Sequence, residues 1–429
     1  MVRILSLFTC LLAFYTLNAQ EIDRHQFSVN GYLRTGLGQT DGSQMVEFSA
    51  PEVPYKFRLG NEANHYGELQ FNYGYQKKDS TNAFELTYMM SHYVPFGAEG
   101  DQKLPKTAQL YAKINDVVKS ADLWVGRRYY MRKNVEMLDY FWLNSGQESE
   151  YGIGLENYKL ENGSNLNVAL IKFEYEKQNK QHQHSYLADF RYLDVPISQH
   201  SKLNFVGQLA MNDDQLDLEL PKKYGYSFGA RLNYNKNFYT YNANFLYRKG
   251  STIVASPYSG KTISEYDGNF RLYDLEKASS FDFVNNFEYD DKQNFAIQGV
   301  LNYQYRDYGV GTVDENGATI DGKKSRNTLN AGFRYLYYIS KHFNLAVEYG
   351  FDYLKSSKLN IEGTMQKITF SPQIAWDYGY YSRPVIRPFV TYAQWSDDFK
   401  GYTGVSTFNN KLADKNRGFS YGVQLEIWW

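Results

Sequence analysis

The sequence predicts an all-β chain that crosses a membrane as a closed antiparallel barrel, and three observations predict it. Aromatic residues make up 17% of the chain, with 41 Tyr, yet the mean hydropathy is only -0.58. Many rings without overall greasiness suit a barrel with a thin apolar outer band, aromatic girdles and a polar interior. Apolar and polar residues alternate with a period of two through much of the chain, and beyond the N-terminus no segment approaches the ~20 apolar residues a membrane helix needs. The chain also ends on such a run, with Phe419, Tyr421, Val423, Leu425, Ile427 and Trp429 on one face and Ser420, Gly422, Gln424, Glu426 and Trp428 on the other. A last strand of this kind closes on the first and leaves no free edge in lipid.

Taken in order, the chain opens on MVRILSLFTCLLAFYTLNAQ, with Arg3, an apolar run over residues 4–17 and Ala19 before Gln20. This is the layout of a cleaved export leader over residues 1–19, with the barrel in 20–429. Cys10, the only cysteine, lies within the leader, so the exported chain holds no disulfide or thiol. No linker or composition break divides the rest, which reads as one domain. Over residues 27–38, Phe27, Val29, Leu33 and Leu37 share one face and Ser28, Asn30, Tyr32 and Arg34 the other. Further on, Leu69, Phe71 and Tyr73 share one parity and Arg58, Glu62, Tyr66, Glu68 and Gln70 the other, which predicts Arg58, Tyr66 and Glu68 in one lumen. Turn signals at 78–80, 161–163, 316–317 and 321–322 separate strand candidates that include 227–233, 240–247, 295–305, 328–337 and 344–353. Roughly 410 residues shared among strands of ~10 residues with their turns give a strand number in the high teens.

One stretch does not fit a wall strand. Residues 123–157, LWVGRRYYMRKNVEMLDYFWLNSGQESEYGIGLEN, set Arg127, Arg128, Arg132, Lys133, Glu136 and Asp139 among Tyr129, Tyr130, Tyr140, Phe141 and Trp142. That mixture is too charged for a core and too aromatic for a solvated loop, and it suits an enclosed wet surface that handles a polar ligand. From these residues alone, a surface loop with its aromatics tucked under it is an equal reading.

This stretch, together with GYLRTGLG (31–38), YKFRLGNEANHYGEL (55–69), SRPVIRPFVTYAQW (382–395) and QLEIWW (424–429), resembles the maltoporin family of sugar-specific outer-membrane porins, in family order. Residues 159–367 match in pattern only. The resemblance implies eighteen strands, a homotrimer in outer-membrane lipid, and a third loop folded inward as a constriction. It further implies facilitated diffusion of maltose, malto-oligosaccharides or related glycans along an aromatic slide and a polar track. Carried over motif by motif, the slide falls on Tyr32, Tyr66, Tyr381 and Trp428. The polar track and constriction fall on Arg34, Arg58, Glu68, Lys106, Arg132, Asn134, Glu136, Asp139 and Phe141. Lys106 stands where Arg is usual, Asn134 where Asp is, Glu136 where His is and Phe141 where Tyr is, which leaves the sugar preference open.

The chemistry agrees with that assignment, because sugars present flat apolar ring faces edged with hydroxyls and need aromatic platforms opposite hydrogen-bonding charges. Parity agrees as well: Tyr32 runs with Arg34, Tyr66 with Glu68, Tyr381 with Arg383 and Arg387, and Trp428 with Glu426. Lys106 shares parity with Ala108 and Leu110, so it reaches the lumen only if Pro105 bends the chain. No metal, cofactor or enzymatic site is expected. His182 and His184 sit in a polar run that reads as a solvated loop, Asp213, Asp214 and Asp217 lack calcium-loop spacing, and no Ser/His/Asp constellation stands out. Net charge of -1 argues against nucleic acid. The competing functions are a general porin without a saturable site and, in another class, a secreted soluble all-β glycan-binding protein or hydrolase. Because the last strand must seal the barrel, deleting residues 427–429 is expected to abolish heat-modifiable protein in outer-membrane fractions; wild-type amounts would contradict the barrel.

Overall fold

A computed structural model describes residues 23–53, 55–77, 83–98, 104–118, 120–143, 149–176, 182–212, 223–253, 277–309 and 324–429. The leader, the turn signals at 78–80, 316–317 and 321–322 and the acidic run 213–217 lie outside the described residues. The alternating segments become eighteen antiparallel strands: β1 Asp23–Thr40, β2 Asn64–Lys77, β3 Ala83–Pro95, β4 Lys106–Val118, β5 Ala121–Arg127 and β6 Ser149–Lys159. There follow β7 Asn165–Glu176, β8 His182–Ser198, β9 Ser201–Asn212, β10 Lys223–Lys236, β11 Tyr239–Gly250 and β12 Ser279–Asp290. The wall ends with β13 Phe295–Asp307, β14 Ser325–Ser340, β15 Phe343–Ser356, β16 Ile361–Ala375, β17 Val385–Trp395 and β18 Arg417–Trp428. Each strand pairs with its neighbours in the chain, and β18 returns to β1 with Leu33 opposite Ile427 and Leu37 opposite Val423. Gly31 and Trp429 exchange both backbone hydrogen bonds at 3.1 Å. The barrel is therefore closed.

Alternation decides what faces where. On β1, Leu37 is 70% exposed on the outer side, whereas Arg34 on the inner side is 6% exposed. The inner wall is polar and its groups are paired, as buried polar atoms require: Asn302 donates to Asn330 at 3.1 Å and Arg191 to Asp189 at 2.7 Å. All five strand candidates named from the pattern lie within observed strands. The His182 and His184 run is corrected, because β8 already starts at His182 and pairs with β7 through Glu174 opposite His184.

The space inside this wall is partly filled, which alternation did not reveal. Phe48, Tyr55 and Phe57 from the irregular segments 45–53 and 55–63 join Val135, Met137, Leu138, Tyr140 and Trp142, and these pack on inner-wall residues including Val206, Leu246, Val284 and Leu354. The two segments are tied by backbone hydrogen bonds from Lys56 to Leu138 and from Arg58 to Met137, both 3.1 Å. Leu59 is pinned to the wall: its N–H donates to Glu348 at 3.0 Å, and its carbonyl accepts from Lys367 at 2.8 Å and Thr369 at 3.0 Å. Arg58 and Glu62 are thus not strand residues as parity suggested. β2 begins only at Asn64, because the apolar residues of 45–63 are spent on this internal core.

Phe57 lies flat against two glycines, Gly332 on β14 and Gly350 on β15, and a Cβ at Gly350 would come 2.1 Å from the Phe57 ring. Gly350→Val is expected to unseat Phe57, destabilising the barrel by about 1–3 kcal/mol and raising single-channel conductance. An unchanged conductance and unfolding midpoint would contradict this packing.

Candidate functional site

The closure of β1 on β18 and the pairing of β1 with β2 set a row of rings on the inner wall. Tyr32 lies opposite Trp428, Arg34 opposite Tyr66, and Tyr66 opposite Tyr93 on β3. The Tyr32 ring stacks beside Trp428 at 6.4 Å and tilts against Tyr66 at 5.9 Å. Tyr66 donates to Glu68 at 2.5 Å. Such a row presents π-faces to whatever passes along it.

Charges converge on the same place. Arg58 pairs with Glu62 at 3.0 Å, Glu136 at 3.1 Å and Glu426 at 3.2 Å. Arg34 pairs with Glu62 at 2.8 Å and donates to Asn64 at 2.6 Å. Glu426 also takes Arg383 at 2.6 Å, Arg387 at 2.5 Å and the Tyr32 hydroxyl at 2.8 Å. Burial alone would push the Glu62 carboxyl up, but the charges of Arg34, Arg58 and Lys56 outweigh it and hold the group at about 2. Glu62 therefore stays ionised through the neutral range. Removing one member of such a buried network leaves the others uncompensated, a loss of about 3–5 kcal/mol.

A short 3-10 turn, Glu136–Leu138, brings the second segment to this cluster. It ends on Asp139 in the left-handed conformation (φ 52°), whose N–H donates to the Glu136 carbonyl at 3.1 Å. An aspartate tolerates that backbone better than most residues. Glu136 reaches Arg58 and lies 3.6 Å from Arg334 of β14. Arg132 rests over the rings of Tyr129 at 3.9 Å and Phe141 at 4.4 Å.

A cavity of about 410 Å³ opens among these groups. It brings together Tyr32, Tyr66 and Trp428 of the slide assignment with Arg34, Arg58, Glu68, Arg132, Asn134, Glu136, Asp139 and Phe141 of the track. Two assigned residues are not part of it. Tyr381 is not in the strand its parity was read from, because β17 starts at Val385; its hydroxyl instead accepts from Gln298 at 2.6 Å. Lys106 opens β4 as an exposed residue. Its side of the sheet is set by a bulge rather than by Pro105: Met89 faces Gln109 and Met90 faces Thr107, so Ala108 is skipped and Lys106 pairs with Ser91 on the same side as Glu68.

Reading by motif left out Glu47, Lys56, Asn64 and Tyr93, which also line the cavity, and used Glu426 only to fix parity. For Tyr93 the available signal was its shared parity with Ser91. For Lys56 there was none, since its segment belongs to no strand.

A family model described as LamB porin matches residues 27–429, nearly the whole chain. The chain belongs to the LamB porin family. Solved structures similar to this porin include Acinetobacter baumannii OccAB1 (9% identity, 94% of this chain and 96% of that chain, TM-score 0.48) and OccAB2 (13% identity, 94% and 98%, TM-score 0.46). The outer-membrane expressed OmpT of Vibrio cholerae is similar at 9% identity over 96% and 99% of the two chains, with TM-score 0.41. Family and closed barrel together make the chain an outer-membrane porin and point to a channel rather than an enzyme. Glu62→Gln in this porin is expected to lower stability by about 3–5 kcal/mol and to move the reversal potential in a salt gradient toward anion preference. An unmoved potential would separate Glu62 from the ion path.

Proposed function

We propose that this porin carries malto-oligosaccharides or related glycans by passive, saturable diffusion, as a homotrimer in outer-membrane lipid, after removal of residues 1–19 as an export leader. The observation that carries the reading is the row Trp428, Tyr32, Tyr66 and Tyr93 on the inner wall, facing a balanced cluster of guanidinium and carboxylate groups across one cavity. Rings take the apolar faces of a sugar while charges donate to and accept from its hydroxyls. Near-neutral pairing around Arg58 favours an uncharged polyol over an ion of either sign. Segment 128–143 acts in this reading as the constriction, a role supported by its ion pairs to Arg58 and Arg334 and by the burial of Tyr140 and Trp142 on the inner side.

Tyr66→Ala tests the slide directly. Stacking of this kind contributes about 0.5–1.5 kcal/mol, so sugar block of ion current should weaken roughly two- to tenfold, while conductance stays level or rises. A general porin would show little block in either protein, and a block untouched by the substitution would remove Tyr66 from the path.

A further inference from the structure

On the hairpin side of the core residues Val206 and Leu246, the inner wall of β8 to β11 carries a chain of carboxamides. Asn204 on β9 lies opposite Arg231 on β10, and Asn233 opposite Asn242 on β11. The direction of their hydrogen bonds is fixed at both ends by groups that can only donate. At one end the Arg231 guanidinium donates to the Asn242 oxygen at 2.9 Å. At the other the Asp194 N–H, on a bulge of β8 where φ is 60°, donates to the Asn204 oxygen at 2.9 Å. Between them the Asn204 amide donates to the Asn233 oxygen at 2.5 Å, and the Asn233 amide donates to the Asn242 oxygen. Every carboxamide oxygen in the chain accepts from the protein, so the polarity it offers a solute is that of its N–H groups.

Cations gather over this chain. Arg191 is bidentate on Asp189 at 2.7 and 3.1 Å and donates to the Met131 carbonyl at 2.8 Å, which ties the inward segment to β8. Two residues further on, Lys133 is exposed. Its neighbour Asn134 lines the charged cavity, whereas Lys133 does not and stands in the field of Arg231 and Arg191. Desolvation inside the barrel and those two like charges lower the Lys133 pKa from the usual lysine value, against the pull of Asp194. The carboxylates nearby are committed: Asp189 to Arg191 and to Gln208 at 2.7 Å, Asp194 to Lys202 at 3.3 Å and to Asn165 at 3.2 Å, and Glu156 to Arg128 at 3.1 Å. Among the described residues, Lys133, Arg191, Lys202 and Arg231 thus outnumber Asp189 and Asp194, and the patch is positive where the cluster around Arg58 is balanced.

We propose that this patch binds small oxyanions of the phosphate class and that the porin passes them along the wall of β8 to β11, apart from the cavity around Arg58. This holds whether or not the channel also carries sugars. A phosphate oxygen only accepts, so it is served by amide N–H groups, a planar guanidinium and a mobile ammonium together. A neutral polyol also needs acceptors, and here those are turned into the wall. Segment 131–135 separates the two regions, with Asn134 on the side of the charged cavity and Lys133 on the side of Arg231.

The test is ion current through the purified channel in planar bilayers, in potassium chloride at neutral pH, as inorganic phosphate is added. Wild-type conductance should fall saturably with phosphate. Lys133→Gln and Arg231→Gln should each raise the half-blocking concentration roughly tenfold, the loss of one charge-assisted hydrogen bond, and leave any block by neutral sugars as it is in wild type. Glycerol phosphate as a second probe separates the sources of the ligand: block matching that of inorganic phosphate assigns the site to the phosphoryl group, and block by inorganic phosphate alone assigns it to the free anion. If Arg231→Gln does not insert, Lys133→Gln decides alone, since it removes a charge outside the wall. A wild-type current indifferent to phosphate, or a phosphate block as strong in Lys133→Gln as in wild type, would overturn the site. Sugar block lost in parallel with phosphate block would merge it with the cavity around Arg58 and overturn it as well.

Discussion

Everything in this molecule follows from the requirement that no backbone N–H or C=O be left unpaired in hydrocarbon. The pairing of β18 with β1 meets it, and once the sheet is closed each strand has one side in lipid and one in the lumen. The apolar outer band and the paired polar inner wall are two readings of one alternation. The aromatic row depends on the same closure, because Trp428 and Tyr32 belong to opposite ends of the chain and meet only where the barrel is sealed.

The wall was legible in the sequence because a period of two is written into every strand. Leu33 and Leu37 against Arg34 and Tyr32 already told lipid from lumen. Alternation fails wherever there is a third environment. The residues Phe48, Tyr55 and Phe57 face neither lipid nor water but an apolar core inside the barrel, and a two-sided pattern has no symbol for that. This is why Arg58 and Glu62 came out on a strand that does not include them. The parity of Lys106 was misleading for a smaller reason, since one bulged residue, Ala108, reverses the parity of everything before it and turns Lys106 to the side of Glu68. Parity could not place Tyr381 because its turn was read as strand. The remaining track and slide positions were assigned through family wording, and the rungs of β18, β1 and β2 together with residues 55–63 and 132–141 bring them to one cavity.

The internal core also gives the lumen two unlike halves. Near β9 to β17 the space is occupied by residues 45–63 and 133–143 packed on Val206, Leu246, Val284 and Leu354. Near β18 and β1 to β3 lies the charged cavity. The buried network around Arg58 sits on the boundary between them. A buried ion pair adds little net stability against an apolar replacement, so the density of charge here is better explained by the polar path it borders than by the fold it helps hold.

The pinning of Leu59 has a consequence for the order of events during biogenesis. Its carbonyl is gripped by Lys367, 308 residues further along the chain, and contacts that distant cannot form until the intervening strands are in place. The segment after β1 must therefore wait, loosely held, while the remaining wall is laid down beside it, and it locks only when β15 and β16 arrive. In its assembly this pore is wide before it is narrow.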